Sequence, residues 1–228
     1  MTLVWRPDYN GTPGKVTLAQ QQKIPVVIGE PWGGGYFAGY ISHTADGNPT
    51  HALIVAPRAT GATGTGYTLT TNLANKTTQT FTADSSSSFD GRANTDGMIA
   101  AGIADHPAAE FCVNLSIGGF TDWYLPATFE LDIAYFNLKP TTEVNNTLFG
   151  VNVYSVPQRT STNTLSYPAQ TNLADFTSSI EQFVAFIHWS STQTSPGGAT
   201  SISFANGSQG NGDRRTSHRV RAFRRIAL

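Results

Sequence analysis

The chain has 228 residues, 39% hydrophobic and only 13% charged, against roughly 25% charged in an average soluble domain; Ser, Thr, Asn and Gly fill the gap, favouring one large or two small β- and loop-rich domains. Cys112 is the single cysteine, so an intrachain disulfide and any paired-cysteine metal site are excluded, and no stretch approaches the ~18 apolar residues of a membrane span. The net charge of −1 hides an asymmetry: Arg214, Arg215, Arg219, Arg221, Arg224 and Arg225 crowd the last fifteen positions and leave the preceding chain acidic.

Residues 1–23 lack periodicity, end in a glutamine run, and read as an N-terminal arm for attachment or subunit contact; 24–228 read as the domain. No apolar stretch of leader length opens the chain, which predicts synthesis in the cytoplasm. KIPVVIGE, from Lys23, reads as a short strand. YFAGYIS from Tyr36 and HALIVAP from His51 flank a turn-rich ADGNP and predict a hairpin. Gly33, Gly34 and Gly35, with Ala38, approach the dinucleotide-binding pattern, but a strand follows where that motif needs a helix. Residues 59–92 are rich in Gly, Thr and Ser and predict a long loop or exposed hairpin, anchored by Tyr67, Leu69, Phe81 and Phe89. Helices are expected over Thr95–Phe111, broken near Pro107 with a second short helix over Pro107–Val113, and over Thr128–Leu138. In the last, Leu131, Ala134, Tyr135 and Leu138 share one face, and Glu130 sits in the first turn, where a carboxylate suits the helix dipole. Glu181–Ser190 reads as a strand buried on both faces, and Ala199–Phe204 and His218–Ile226 alternate as strands. Between the last two, Asn206–Ser217 carries glycines and asparagines that predict a long irregular loop.

Three segments carry a pattern in order: GGFTDWYLP from Gly118, FIHWSS from Phe186 and RVRAFRRI from Arg219. Cys112, Gly118, Gly119, Asp122, Trp123, Leu125, Pro126 and Glu130 resemble the helix, Gly-Gly-x-x-Asp-Trp-x-Leu-Pro motif and following helix of the C-type-lectin-like domains of bacterial collagen-like adhesins and bacteriophage tail and receptor-binding proteins. His188 to Thr192, Phe204 with Asn206 and Gly207, and Val220, Arg221 and Arg224 are similar to that family's later strands. The likeness spans about residues 29 to 226. Ala127 departs from the pattern, standing where a hydroxyl N-cap is usual, so the helix is expected to start at Thr128. The resemblance implies an α+β, C-type-lectin-like fold: two helices packed on small twisted antiparallel sheets, with long irregular loops. Trp123 and Trp189 are then expected to be buried with their indole N–H groups bonded. Asp122 and the C-terminal arginines are expected in ion pairs or bonded to loop carbonyls.

Catalysis finds little support in the residues. No G-x-S-x-G elbow is present, and the five histidines share no zincin spacing; His188 reads as a satisfied core histidine. The calcium-dependent sugar motifs of C-type lectins are missing, and no metal or cofactor is expected. A carboxylate pair of the glycosidase kind converges only in space and stays open. The resemblance thus implies a non-enzymatic virion protein of the tail tip or fibre that binds a host-surface glycan or protein. Expected ligand-binding residues are Asn206, Ser208, Gln209, Asn211, Asp213, Arg214, Arg215 and His218, because binding side chains concentrate on loops held by a rigid frame. A homotrimer is expected, with the arm on other virion proteins and no nucleic acid or membrane insertion. The rival readings are a structural virion protein and a polysaccharide-degrading enzyme.

Overall fold

Strands from distant parts of the chain meet in the principal sheet. The computed structural model describes residues 24–64 and 73–228; the expected arm and the anchors Tyr67 and Leu69 lie outside them. β1 (Pro31–Trp32), β2 (Gly35–Ile41), β3 (His51–Val55) and β10 (Phe223–Ala227) lie side by side in that order, and β5 (Ser155–Val156) also pairs with β2. All these pairings are antiparallel, with Tyr36 and Phe223 both opposite Val55. The β2–β3 hairpin is the one expected. β3 is apolar from Ala52 onward because side chains alternate across a strand and both of its faces are covered. Leu53 and Val55 enter one core cluster, and Ile54 and Ala56 enter the other.

The first cluster is built on α4 (Thr128–Leu138), which begins and ends where the sequence predicts. Leu131, Ala134, Tyr135 and Leu138 are buried as expected, but so are Ile133, Glu130 and Asp132, so the helix is enclosed rather than one-faced. With no hydroxyl at Ala127, Glu130 reaches back instead: its Oε2 accepts the Ala127 N–H at 2.8 Å and the Gly91 N–H at 3.1 Å. Two orphan donors near helix starts are satisfied by one side chain. The second cluster packs α2 (Gly91–Gly102) and α3 (Pro107–Val113) against Trp123 and Trp189. α2 starts four residues before the expected Thr95, because Asp90 caps it through the Ala93 N–H at 2.8 Å. A 3-10 turn over Ile103–Asp105 marks the expected break, and two single-turn helices, α1 (Arg58–Gly61) and α5 (Ala174–Thr177), lie elsewhere in the chain.

A second sheet of β6 (Ile187–Ser195), β7 (Gly198–Ser203) and β8 (Gln209–Asp213), and a short pair of β4 (Leu73–Ala74) with β9 (Ser217–His218), complete an α+β architecture. Both motif tryptophans are buried and bonded as expected, Trp123 Nε1 to the Phe120 carbonyl and Trp189 Nε1 to that of Thr216, each at 3.1 Å. The arginines also pair: Arg221 with Glu181 at 2.8 Å, Arg224 with Asp122 at 2.5 Å and Arg225 with Asp90 at 2.7 Å. His188 is buried, its Nδ1 lies 3.0 Å from the Phe186 carbonyl, and burial pushes its pKa down to about 3.

Four expectations are corrected. Residues 24–30 form no strand: Pro25 lacks a ladder donor, and pairing starts only where the Gly29 N–H meets the Phe37 carbonyl. Phe81 is 59% exposed and anchors nothing, although Phe89 does stack on Tyr154 with ring centroids 4.3 Å apart. The 73–92 stretch is held by polar contacts instead, among them Lys76 Nζ to Thr82 Oγ1 at 2.9 Å. Residues 181–186 turn rather than extend, which lets Glu181 reach Arg221, and strand begins only at Ile187. Finally, Asn206–Ser217 is not one irregular loop, since its centre is strand β8.

Candidate functional site

β8 forms although its sequence, QGNGD, has little strand propensity, because β7 offers a complete ladder from Gly198↔Asp213 to Ile202↔Gln209. One of its glycines packs closely: a Cβ at Gly212 would crowd Trp189 Cη2 at 3.3 Å. Gly207, at φ +74°, turns the chain into β8, and any side chain there would strike the Tyr135 ring.

The eight expected ligand residues are consequently spread along a strand and two turns. Asn206 and Ser208 stand half-buried at one end, where Asn206 Oδ1 accepts the Ser208 N–H at 3.1 Å. Asp213 and Arg215 stand at the other end, with five strand residues (roughly 17 Å) between the turns. Gln209 reaches toward α4, its Nε2 lying 3.4 Å from Asp132 Oδ1. Asn211 is exposed and accepts the Thr194 hydroxyl at 2.7 Å. Asp213 accepts from Arg215 Nη2 at 2.6 Å and from Gln79 Nε2 at 3.1 Å; Arg215's hydrogen bonds hold its carboxyl well below the usual range. His218 is half-buried against Trp189, and burial lowers its pKa.

Arg214 contradicts the expectation outright. Its side chain is 0% exposed and points inward, donating to Asn75 Oδ1 at 2.9 Å, to Gln193 Oε1, and to Thr80 O and Thr82 Oγ1, each at 3.4 Å. Its own backbone carbonyl accepts the N–H groups of Asn75 and Lys76. Arg214 therefore ties the 75–82 segment to the end of β8 and offers nothing to a ligand. The outward residues at this end are Asn211, Asp213 and Arg215, with Thr194 and Gln79 beside them; sequence reasoning missed the last two because pairing across distant segments placed them there.

A second concavity was equally invisible in the sequence. Between α4, Tyr40 and the 150–167 segment lies a cleft of about 460 Å³. Arg159 spans its base: the guanidinium pairs with buried Asp132 and lies over the Phe136 ring, 4.4 Å from its centroid. Asn152 Nδ2 also donates to Asp132 at 2.8 Å. Tyr167 meets Phe136 edge-on, with centroids 5.2 Å apart. None of the lining residues is Asp, Glu, His or Cys. A density of Asn, Thr and Pro between Pro140 and Pro168 was the available signal for a long, structured segment. Among the described residues, no group of three or more His, Cys, Asp or Glu side chains is placed to hold a metal ion.

No family model and no curated protein matches the chain. Among solved structures, it is similar to a fimbrial protein from Bacteroides ovatus ATCC 8483, at 12% identity and a TM-score of 0.40. That alignment covers 98% of this chain and 48% of the fimbrial protein, so the chain spans about half of that protein's length. Likeness of this degree fixes neither a shared fold nor a shared function.

Proposed function

We propose that the chain is a non-catalytic recognition component of a bacteriophage virion, at the tail tip or fibre, that binds a host-surface glycan or protein from a C-type-lectin-like frame. One observation carries this reading. The motif residues Trp123, Trp189, Arg221 and Arg224 are spent inside the scaffold, while Asn211, Asp213 and Arg215 are held outward on a strand and turn that Arg214 fixes from behind. A rigid frame presenting polar side chains suits binding without chemistry. Weak contacts of this kind gain strength from several copies, in keeping with a homotrimer whose residues 1–23 join other virion proteins. The same reading needs no metal, cofactor, nucleic acid or membrane insertion. The absence of carboxylates from the cleft speaks against the polysaccharide-degrading alternative there, which needs two flanking the scissile bond.

The test is adhesion of the purified chain to candidate host cells and competition with infection. Arg215→Ala combined with Asn211→Ala is expected to abolish both; undiminished adhesion would remove this surface from the site. A structural virion role is favoured by a different feature, the exposed Val144, Leu148 and Leu165 on the 139–172 segment, which suit contact with another protein.

A further inference from the structure

The geometry points to the α4 cleft as a binding site for a neutral saccharide, one or two pyranose rings in size, separate from the β8 surface. This deepens the recognition reading by naming a ligand class, and rests on it only for the saccharide's biological source.

The cleft has the size of a small-ligand site, within the ~300–1,000 Å³ typical of such pockets. Its walls divide by chemistry. Ile133, Val156 and the Phe136 and Tyr167 rings supply apolar surface suited to the C–H face of a pyranose. The 158–164 segment supplies hydroxyls and side-chain amides, groups that both donate and accept, as sugar hydroxyls do.

Two donors in this wall have no partner. Asn163 is 6% exposed, yet its Nδ2 makes no hydrogen bond, and neither does Arg159 Nη1, which is also buried. Buried N–H groups are almost always paired, and both residues line the cleft, so a rotation of the Asn163 amide or the Arg159 guanidinium toward it would give these sealed donors a ligand's oxygen acceptors. Charge then selects among ligands. The Arg159 guanidinium already faces the Asp132 carboxylate, so the cleft needs no anion to balance it. Neutral oxygen-rich ligands fit better than uronic acids or phosphates. With no acid, base or nucleophile among histidine, cysteine and carboxylate side chains in the lining, the bound sugar is held and not cleaved.

The experiment is titration of the full chain with glucose, galactose, N-acetylglucosamine, glucuronate and trialanine, followed by amide chemical shifts. At least one neutral sugar is expected to give saturable shifts confined to residues 133–167, with a millimolar dissociation constant. Asn163→Ala removes a donor that makes no internal bond, so the variant should still unfold cooperatively, at a somewhat lower temperature for the buried volume it vacates, while sugar affinity falls by about tenfold or more. Tyr167→Ala, at a side chain that is 59% exposed, should weaken binding comparably without unfolding the protein. No saturable shift with any neutral sugar at tens of millimolar would overturn the inference, as would preference for glucuronate or trialanine, or indifference to both substitutions. Failure here with host adhesion intact rejects the cleft alone. Sugar binding that persists in a chain unable to adhere rejects the recognition reading alone.

Discussion

Arg214 and Arg215 are neighbours of identical chemistry, and replacing each with alanine separates a buried role from a surface one. Arg214→Ala leaves the buried Asn75 Oδ1 without a donor, whereas Gln193 Oε1 keeps the Thr82 N–H at 3.0 Å. The orphaned acceptor costs about 1–3 kcal/mol, and the vacated volume and the charged bond lost by Gln193 add to it. Relief of the buried charge offsets part of this: burial alone pushes the Arg214 pKa down to about 10, which leaves it charged at neutral pH. The net expectation is a loss of about 3 kcal/mol, or roughly 6–12 °C in melting temperature for a chain of this size. Arg215→Ala removes only an exposed pair with Asp213 and should leave the melting temperature unchanged. Thermal unfolding by circular dichroism reads both variants, and adhesion to host cells reads the second. If the two variants melt together, or Arg214→Ala loses adhesion at full stability, the inward placement of Arg214 is wrong.

Glu130 gives a pH test. Burial raises its pKa from 4.5 to about 7, against the opposing hydrogen bonds from Tyr124 and Ala127. The folded state thus holds this proton more tightly than the unfolded state. Its contribution to stability is complete below about pH 4.5 and is lost as the pH rises toward about 7, at up to about 1.4 kcal/mol per unit. Urea unfolding of Glu130→Gln should lack that slope, and identical pH profiles for parent and variant would refute the assignment. Glu181→Ala strands the Arg221 guanidinium, which is 1% exposed, and should cost about 3–5 kcal/mol in urea; a loss below 1 kcal/mol would mean Arg221 finds another counter-charge. Gly207→Ala combines a left-handed φ with a clash on the Tyr135 ring and should cost about 2–4 kcal/mol; full stability would show that the turn before β8 can relax.

The parts legible in the sequence were those fixed by neighbours along the chain. Thr128–Leu138 is a helix because its apolar spacing and Glu130 agree. The break at Pro107 follows from a proline that suits a first helical turn, and the first hairpin from two β-rich runs around a Gly-Asn-Pro turn. Burial of Trp123 and Trp189 was legible from their area alone. Misreadings arose where a distant partner decides. Residues 24–30 have strand composition but no ladder, whereas QGNGD has almost none and becomes β8 because β7 pairs with it, with Gly212 set close against Trp189.

The sequence by itself determined a cysteine-poor, weakly charged α+β chain, the bounds of the helices Pro107–Val113 and Thr128–Leu138, and that late arginines such as Arg221 and Arg224 would be consumed in ion pairs. Only the tertiary structure decided that Arg214 faces inward and Arg215 outward, and that Arg159, Asn163 and Tyr167 wall a common cleft. Adjacent residues share every local propensity, and what separates them is which remote segment closes over one and leaves the other in water.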